Sequence, residues 1–160
     1  KGIDRMSRAF STGHHPLGTD LRIAVIADAD DVARLLSDLG YPCETDEAVE
    51  RISVIADNDR QALVVARRDG AVVGLIALDF MYYLPLGTTT CRVTALVVTP
   101  TAQGLGIGRA LLKEAERRAR VGGAARIELT SGAQRTEAHA FYRACGYKDS
   151  SVRFVKLLGA

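Results

Sequence analysis

Ala95, Leu96, Val97 and Val98 are apolar without interruption. A strand that ends this way has no solvent face, so its sheet must be covered on both sides, which calls for helices on both faces. Just downstream, Gly104, Gly106 and Gly108 stand at alternate positions. A helical pattern follows them, with Leu111, Leu112, Ala115 and Ala119 on one side. Strand, bare glycine loop and helix in that order are the core of an α/β layer protein.

The rest of the chain reads consistently with this. Residues 21–26 form a strand. Asp28 or Asp30 then caps a helix whose stripe is Val32, Leu35, Leu36 and Leu39, closed by Gly40. After a Pro42 turn, Thr45 caps a second helix with Ala48, Val49, Ile52 and Ile55 inward. Residues 62–67 and 71–80 are strands joined by Asp69-Gly70, a strong hairpin turn. Residues 91–98 are the fourth strand. The third helix begins at Arg109, carries Glu114–Arg118 and Glu116–Arg120 as i,i+4 pairs, and ends at Gly122-Gly123. Residues 125–131 form a fifth strand, residues 136–146 a fourth helix stopped at Gly146, and residues 151–158 a final strand. The order is β-α-α-β-β-β-α-β-α-β, an α/β fold in one domain over residues 21–160, after a loose arm at residues 1–20.

With 160 residues, 48% of them hydrophobic, the chain is long enough for one sizeable core. A net charge of +2 gives no footprint for nucleic acid or an anionic membrane. No apolar run reaches the ~18 residues of a membrane span. Cys43, Cys91 and Cys145 form no CxxC, and His14-His15 lacks ligand spacing, so neither a disulfide framework nor a metal site is expected. Reduced thiols suit a cytoplasmic protein.

Glycines let the backbone approach a ligand and take positive φ. Successive N–H groups at such a turn, with a helix N-terminus behind them, suit a phosphate. A tight turn with close strand–helix packing is the competing reading. The loop is not a Walker A motif, because Gly108 is followed by Arg109-Ala110 rather than Lys-Ser/Thr. It is not a dinucleotide fingerprint either, since Arg109 or Leu111 stands where the third glycine belongs.

The run Gln103-Gly104-Leu105-Gly106-Ile107-Gly108 resembles the Q/R-x-x-G-x-G/A loop of the GNAT (Gcn5-related) N-acetyltransferases, and Ala138 to Tyr147 resembles that family's A-x-x-F/L-Y-x-x-x-G-F/Y helix. The resemblance implies a central mixed, twisted sheet flanked by about four helices. It implies acetyl-CoA as cosubstrate, with no metal, and transfer of acetyl to a primary amine by direct attack on the thioester. It places the pantetheine arm along Leu96, Val97 and Val98, with the N–H of Val97 or Val98 on the developing oxyanion. It places the pyrophosphate on Gln103, Gly104, Leu105, Gly106, Ile107, Gly108 and Arg109.

Tyr142 falls at the family's general-acid position. A phenol is protonated at neutral pH and can donate to a departing thiolate, although packing against Phe141 and Ala138 explains it equally. Arg135 replaces the family's usual Asn on the pantetheine side, and His139 shares its helical face. Arg92 stands where some members carry a basic Glu, which leaves Asp79, Glu128 and Glu44 as candidate bases. The resemblance implies that the acceptor, a small-molecule or protein amine, enters beside the end of the third strand and the loop carrying Tyr41, Glu44, Asp46 and Glu47. These acids also suit a helix start. A homodimer is compatible with the family. The alternative reading is a non-catalytic module that binds acyl-CoA or a partner.

Overall fold

A computed structural model describes residues 18–132 and 134–159. The arm and His14-His15 lie almost wholly outside the described residues. Thr19 and Asp20 belong to the first strand rather than to an arm. The chain divides into two compact units, Lys1–Glu128 and Leu129–Ala160.

The elements are β1 (Thr19–Ile23), α1 (Ala29–Leu39), α2 (Thr45–Ala56), β2 (Gln61–Arg68), β3 (Ala71–Tyr83), β4 (Thr88–Val98), α3 (Ile107–Val121), β5 (Ala124–Leu129) and α4 (Thr136–Ala144). The sheet is mixed, with the strands in sequence order from β1 to β5. β1 to β4 pair antiparallel. The Asp69-Gly70 turn has both residues at positive φ, 51° and 80°, which matches the twist of the strands it joins.

Alternation along β3 sends its residues to two layers. Leu75 packs with Val32, Leu35, Ala48 and Ile52 of α1 and α2. Gly74 faces the other way, onto α3. A Cβ there would lie 3.2 Å from the Leu111 Cδ1 and from the Val97 carbonyl, and 3.4 Å from the Ile107 Cγ2. At the far end of α3, a Cβ on Gly122 would meet Phe80 at 2.8 Å. Thus α3 runs along β3 from Gly74 to Phe80, in contact at both ends.

Four expectations need correction. Continuous burial falls on Leu63, Val64, Val65 and Ala66 of β2, whereas Ala95 to Val98 are only half-buried. β2 has a strand on each side and helices on both faces, and the end of β4 does not. Thr45 is not the cap of α2. Glu44 is, in a reciprocal capping box with Glu47, and the Thr45 hydroxyl bonds Asp30 Oδ1 at 2.7 Å. Among the described residues Glu116 and Arg120 form no ion pair; Glu114 instead takes both Arg117 and Arg118. Residues 151–158 form no strand. They alternate suitably, but alternation cannot create a ladder partner, and Val152, Phe154 and Leu157 are exposed.

Two buried carboxylates tie helices to their surroundings. Asp28 accepts two bonds from Arg22, at 2.7 and 2.9 Å, and one from the Val25 N–H at 2.8 Å. The Arg22 hydrogen bonds hold its carboxyl below the ordinary 3.8, against the opposing effect of burial. For Glu114 burial acts to raise the pKa, but Arg117 and Arg118 outweigh it and the carboxyl lies below 4.5. Both groups therefore stabilise the fold fully above their unfolded pKa values, and that stability is lost as pH falls through the folded ones. Asp28→Asn should cost about 2 kcal/mol at pH 7, with the difference from wild type shrinking at lower pH. Denaturant melts at pH 7 and in the acid range check this.

Candidate active site

The end of β4 leads into a fixed turn. The short 3-10 turn Pro100–Ala102 is closed by the Ala102 N–H on the Thr99 carbonyl at 3.0 Å, and Ala102 is buried. Gln103 then reaches back, its Nε2 donating to the Val98 carbonyl at 3.1 Å. Gly104 and Gly106 have φ of 81° and 82°, a region that costs other L-residues about 1–2 kcal/mol. Gly108 has no such need and lies inside α3. A Cβ on Gly104 would meet nothing within 4 Å, so the loop opens to solvent there.

Gly106 is the N-cap of α3, and its carbonyl accepts the Ala110 N–H at 3.0 Å. The N–H groups of Ile107, Gly108 and Arg109 precede the first intrahelical donor and remain for a ligand. Ile107 is buried and pins the turn, while Leu105 and Arg109 are exposed. Arg109 forms no ion pair among the described residues. Together these features fit a pyrophosphate: bare backbone, a positive helix end, and a guanidinium not engaged by a carboxylate.

The strand before the loop also has free donors. Thr99 N–H bonds the Val73 carbonyl at 2.7 Å, and residues 73 and 99 lie opposite each other. In an antiparallel ladder this makes residues 97 and 95 the next hydrogen-bonded positions, so the Val97 N–H points at β3. The N–H groups of Leu96 and Val98 point away from β3. On that side β5 is six residues long and meets β4 at Thr90, where Arg126 Nε donates to Thr90 Oγ1 at 3.2 Å. Of the two N–H groups expected from sequence to face the oxyanion, that of Val97 is therefore turned to β3, and that of Val98 points away from it together with that of Leu96.

Tyr142 and Arg135 belong to the second unit. Tyr142 lies on α4, 5.5 Å from Phe141 and 6.3 Å from Tyr147 between ring centroids. Burial raises its pKa above 10.0, Arg135 opposes the rise and Cys145 adds to it, so the hydroxyl is a proton donor across the physiological range. Arg135 is the exposed N-cap of α4. His139 Nε2 donates to the Gly132 carbonyl at 2.9 Å, which fits a structural role.

On the α1–α2 side, a cavity of 470 Å³ lies between those helices and the sheet, with walls from Val32, Leu36, Ile52, Leu75 and Ala95. Its β4 wall includes Thr94, the extra residue of a bulge where Ala95 pairs with Ala77 but Val93 with Leu78. The sequence carries no signal for this bulge or for the cavity. The acids of the α1–α2 loop are engaged locally: Glu44 and Glu47 in the capping box, and Glu47 with Arg51 at 3.4 Å. Glu128 is paired with Arg126 at 3.2 Å, and Asp79 faces Arg92 across the β3–β4 ladder.

This combination of sheet, loop and capped helix matches known proteins. The acetyltransferase (GNAT) family profile matches residues 29–147. The chain is 36% identical over 141 residues to the aminoalkylphosphonate N-acetyltransferase of Salmonella typhimurium, covering 87% of this chain and 91% of the relative. It is 31% identical over 133 residues to the aminoglycoside N(6')-acetyltransferase type 1 of Stenotrophomonas maltophilia, covering 81% and 86%. A Bacillus halodurans C-125 structure described as a transcriptional regulator superposes with a TM-score of 0.81 at 26% identity, over 88% of this chain and 99% of the other. The chain belongs to the GNAT acetyltransferase family and is an acyltransferase; the family uses acetyl-CoA. Among the described residues no helix is long and apolar enough to cross a membrane.

Gly106→Glu places a charged side chain at a left-handed N-cap in front of the first-turn N–H groups. Calorimetry should show CoA affinity falling at least about 100-fold, with the strain costing only about 1–2 kcal/mol of stability.

Proposed function

We propose that this chain moves an acetyl group from acetyl-CoA to the primary amine of a small molecule by direct attack on the thioester. The observation that carries the reading is the pair of left-handed glycines ahead of α3, reached from a strand whose Leu96 and Val98 N–H groups point away from β3. The similarity to two enzymes named for small amines supports a small-molecule acceptor.

Acetyl-CoA supplies the activated acyl group. The α3 N-terminus and residues 103–109 hold its pyrophosphate, with Arg109 adding charge. Leu96 and Val98 donate backbone N–H groups to the pantetheine arm and to the carbonyl oxygen as negative charge develops there. One such donor contributes about 2.7–4 kcal/mol to a transition state. Tyr142 supplies the proton that the departing thiolate takes, and Arg135 is assigned to the cofactor by the family resemblance. Cys91 is no rival nucleophile: burial first, and the Asp79 charge second, push its thiol up to about 11. A direct transfer therefore needs no acyl-enzyme.

Calorimetric titration with desulfo-CoA, with ATP and NAD as controls, should show binding of the CoA compound alone. Absence of CoA binding overturns the reading. Tyr142→Phe should lower kcat about 100-fold or more while CoA affinity stays unchanged. Because the Tyr142 pKa is raised, wild-type kcat should show no loss of this acid across the physiological range, and the loss should set in at higher pH than for an ordinary phenol.

A further inference from the structure

The bulge at Thr94 decides where Arg92 points. Val93 pairs with Leu78 on the α3 face, and Ala95 pairs with Ala77 on the α1–α2 face. Arg92, one residue before Val93, therefore shares the α1–α2 face with Thr94 and Ala95. Unbroken alternation from Ala95 would have sent it to the α3 face. Thr94 and Ala95 are walls of the 470 Å³ cavity, so Arg92 stands beside its β4 side.

A second guanidinium reaches the same face. Thr90 precedes Arg92 by two residues with regular pairing between them, so their side chains share a side. Arg126 is brought there by its bond to the buried Thr90 hydroxyl, and it lies over the Tyr83 ring, 4.2 Å from the centroid. Ring, hydroxyl and Glu128 together fix Arg126 in place.

Arg92 lacks such partners. It is half-buried, yet among the described residues no carboxylate lies within 4.0 Å of it, although Asp79 is its Cα partner on β3. Arg22, Arg117 and Arg118 are also partly buried and each has one, whereas half-buried Arg67 shares the lack of one among the described residues. With no carboxylate engaging Arg92, its planar fork is open to the paired oxygens of a phosphonate, phosphate or carboxylate. Asp79 and Glu128 on the same face provide negative charge for an ammonium end. Leu96 is four residues further on, about 13 Å along an extended strand, close enough for a small molecule to join the two positions.

We propose that Arg92 is a specificity-determining residue that holds the acidic group of the acceptor, so that the preferred substrate is a small aminoalkyl acid; this rests on the acetyl-transfer reading above.

The test is calorimetry on protein saturated with desulfo-CoA, using aminoethylphosphonate and β-alanine as probes and propylamine as the acid-free control. Wild type should bind the better acid at least about tenfold more tightly than propylamine. Arg92→Gln should erase that preference, and Arg92→Lys should restore part of it, at unchanged melting temperature and desulfo-CoA affinity. Equal affinity of wild type for acid and control overturns the proposal. So does a preference that survives in Arg92→Gln, or equal weakening of all three amines. A parallel acetyl-transfer assay separates the two readings. Acid preference without transfer to any amine defeats the acetyl-transfer reading and leaves the anchor standing; transfer without acid preference does the reverse.

Discussion

The close approach of α3 to β3 at Gly74 sets the geometry of everything that follows it. With hydrogen in place of a side chain, Leu111 and Ile107 come down onto the strand beside the Val97 carbonyl. That contact puts the first turn of α3 against the end of β4, so the helix N-terminus and the last outward N–H groups of the strand lie together. In the proposed reaction both donor sets hold parts of one extended molecule, which makes their separation matter. The buried Ile107 at the helix start and the Gln103 bond to Val98 hold the loop between them.

The other face of the sheet is organised by a different device. α1 and α2 cover it with an apolar cluster, but the β4 bulge interrupts the ladder beside that cover. One extra residue turns Arg92 to the side of the cavity, next to a face where Arg126 is already braced by Thr90 and Tyr83. The sheet thereby presents two different surfaces. The glycine loop and α3 present backbone N–H groups, and in the proposed reaction these meet phosphate and thioester. The α1–α2 face presents side chains, and the proposal puts acceptor choice there.

Much of this was legible in the chain itself. The glycine spacing, the stripe of α3, the Asp69-Gly70 turn and the Gly40 stop all appear where local chemistry requires them, since each depends on φ preference or periodicity within a few residues. The α4 motif around Tyr142 was equally plain. The readings that failed all depended on neighbours. Residues 151–158 alternate correctly but have no ladder. Thr45 has a capping side chain but uses it on Asp30, while Glu44 and Glu47 close the helix start. Glu114 draws Arg117 as well as Arg118, because burial makes it the stronger acceptor.

The sequence by itself determined which residues form the left-handed glycine loop ahead of α3 and where most helices lie, because those choices are made by the backbone of each short segment. Only the tertiary structure decided which N–H groups of β4 turn to β3, that Val97 is one of them, and that Arg92 faces the α1–α2 side. Those outcomes depend on ladder register and on a single bulge, and register is set by strands far apart in the chain rather than by the residues that it orients.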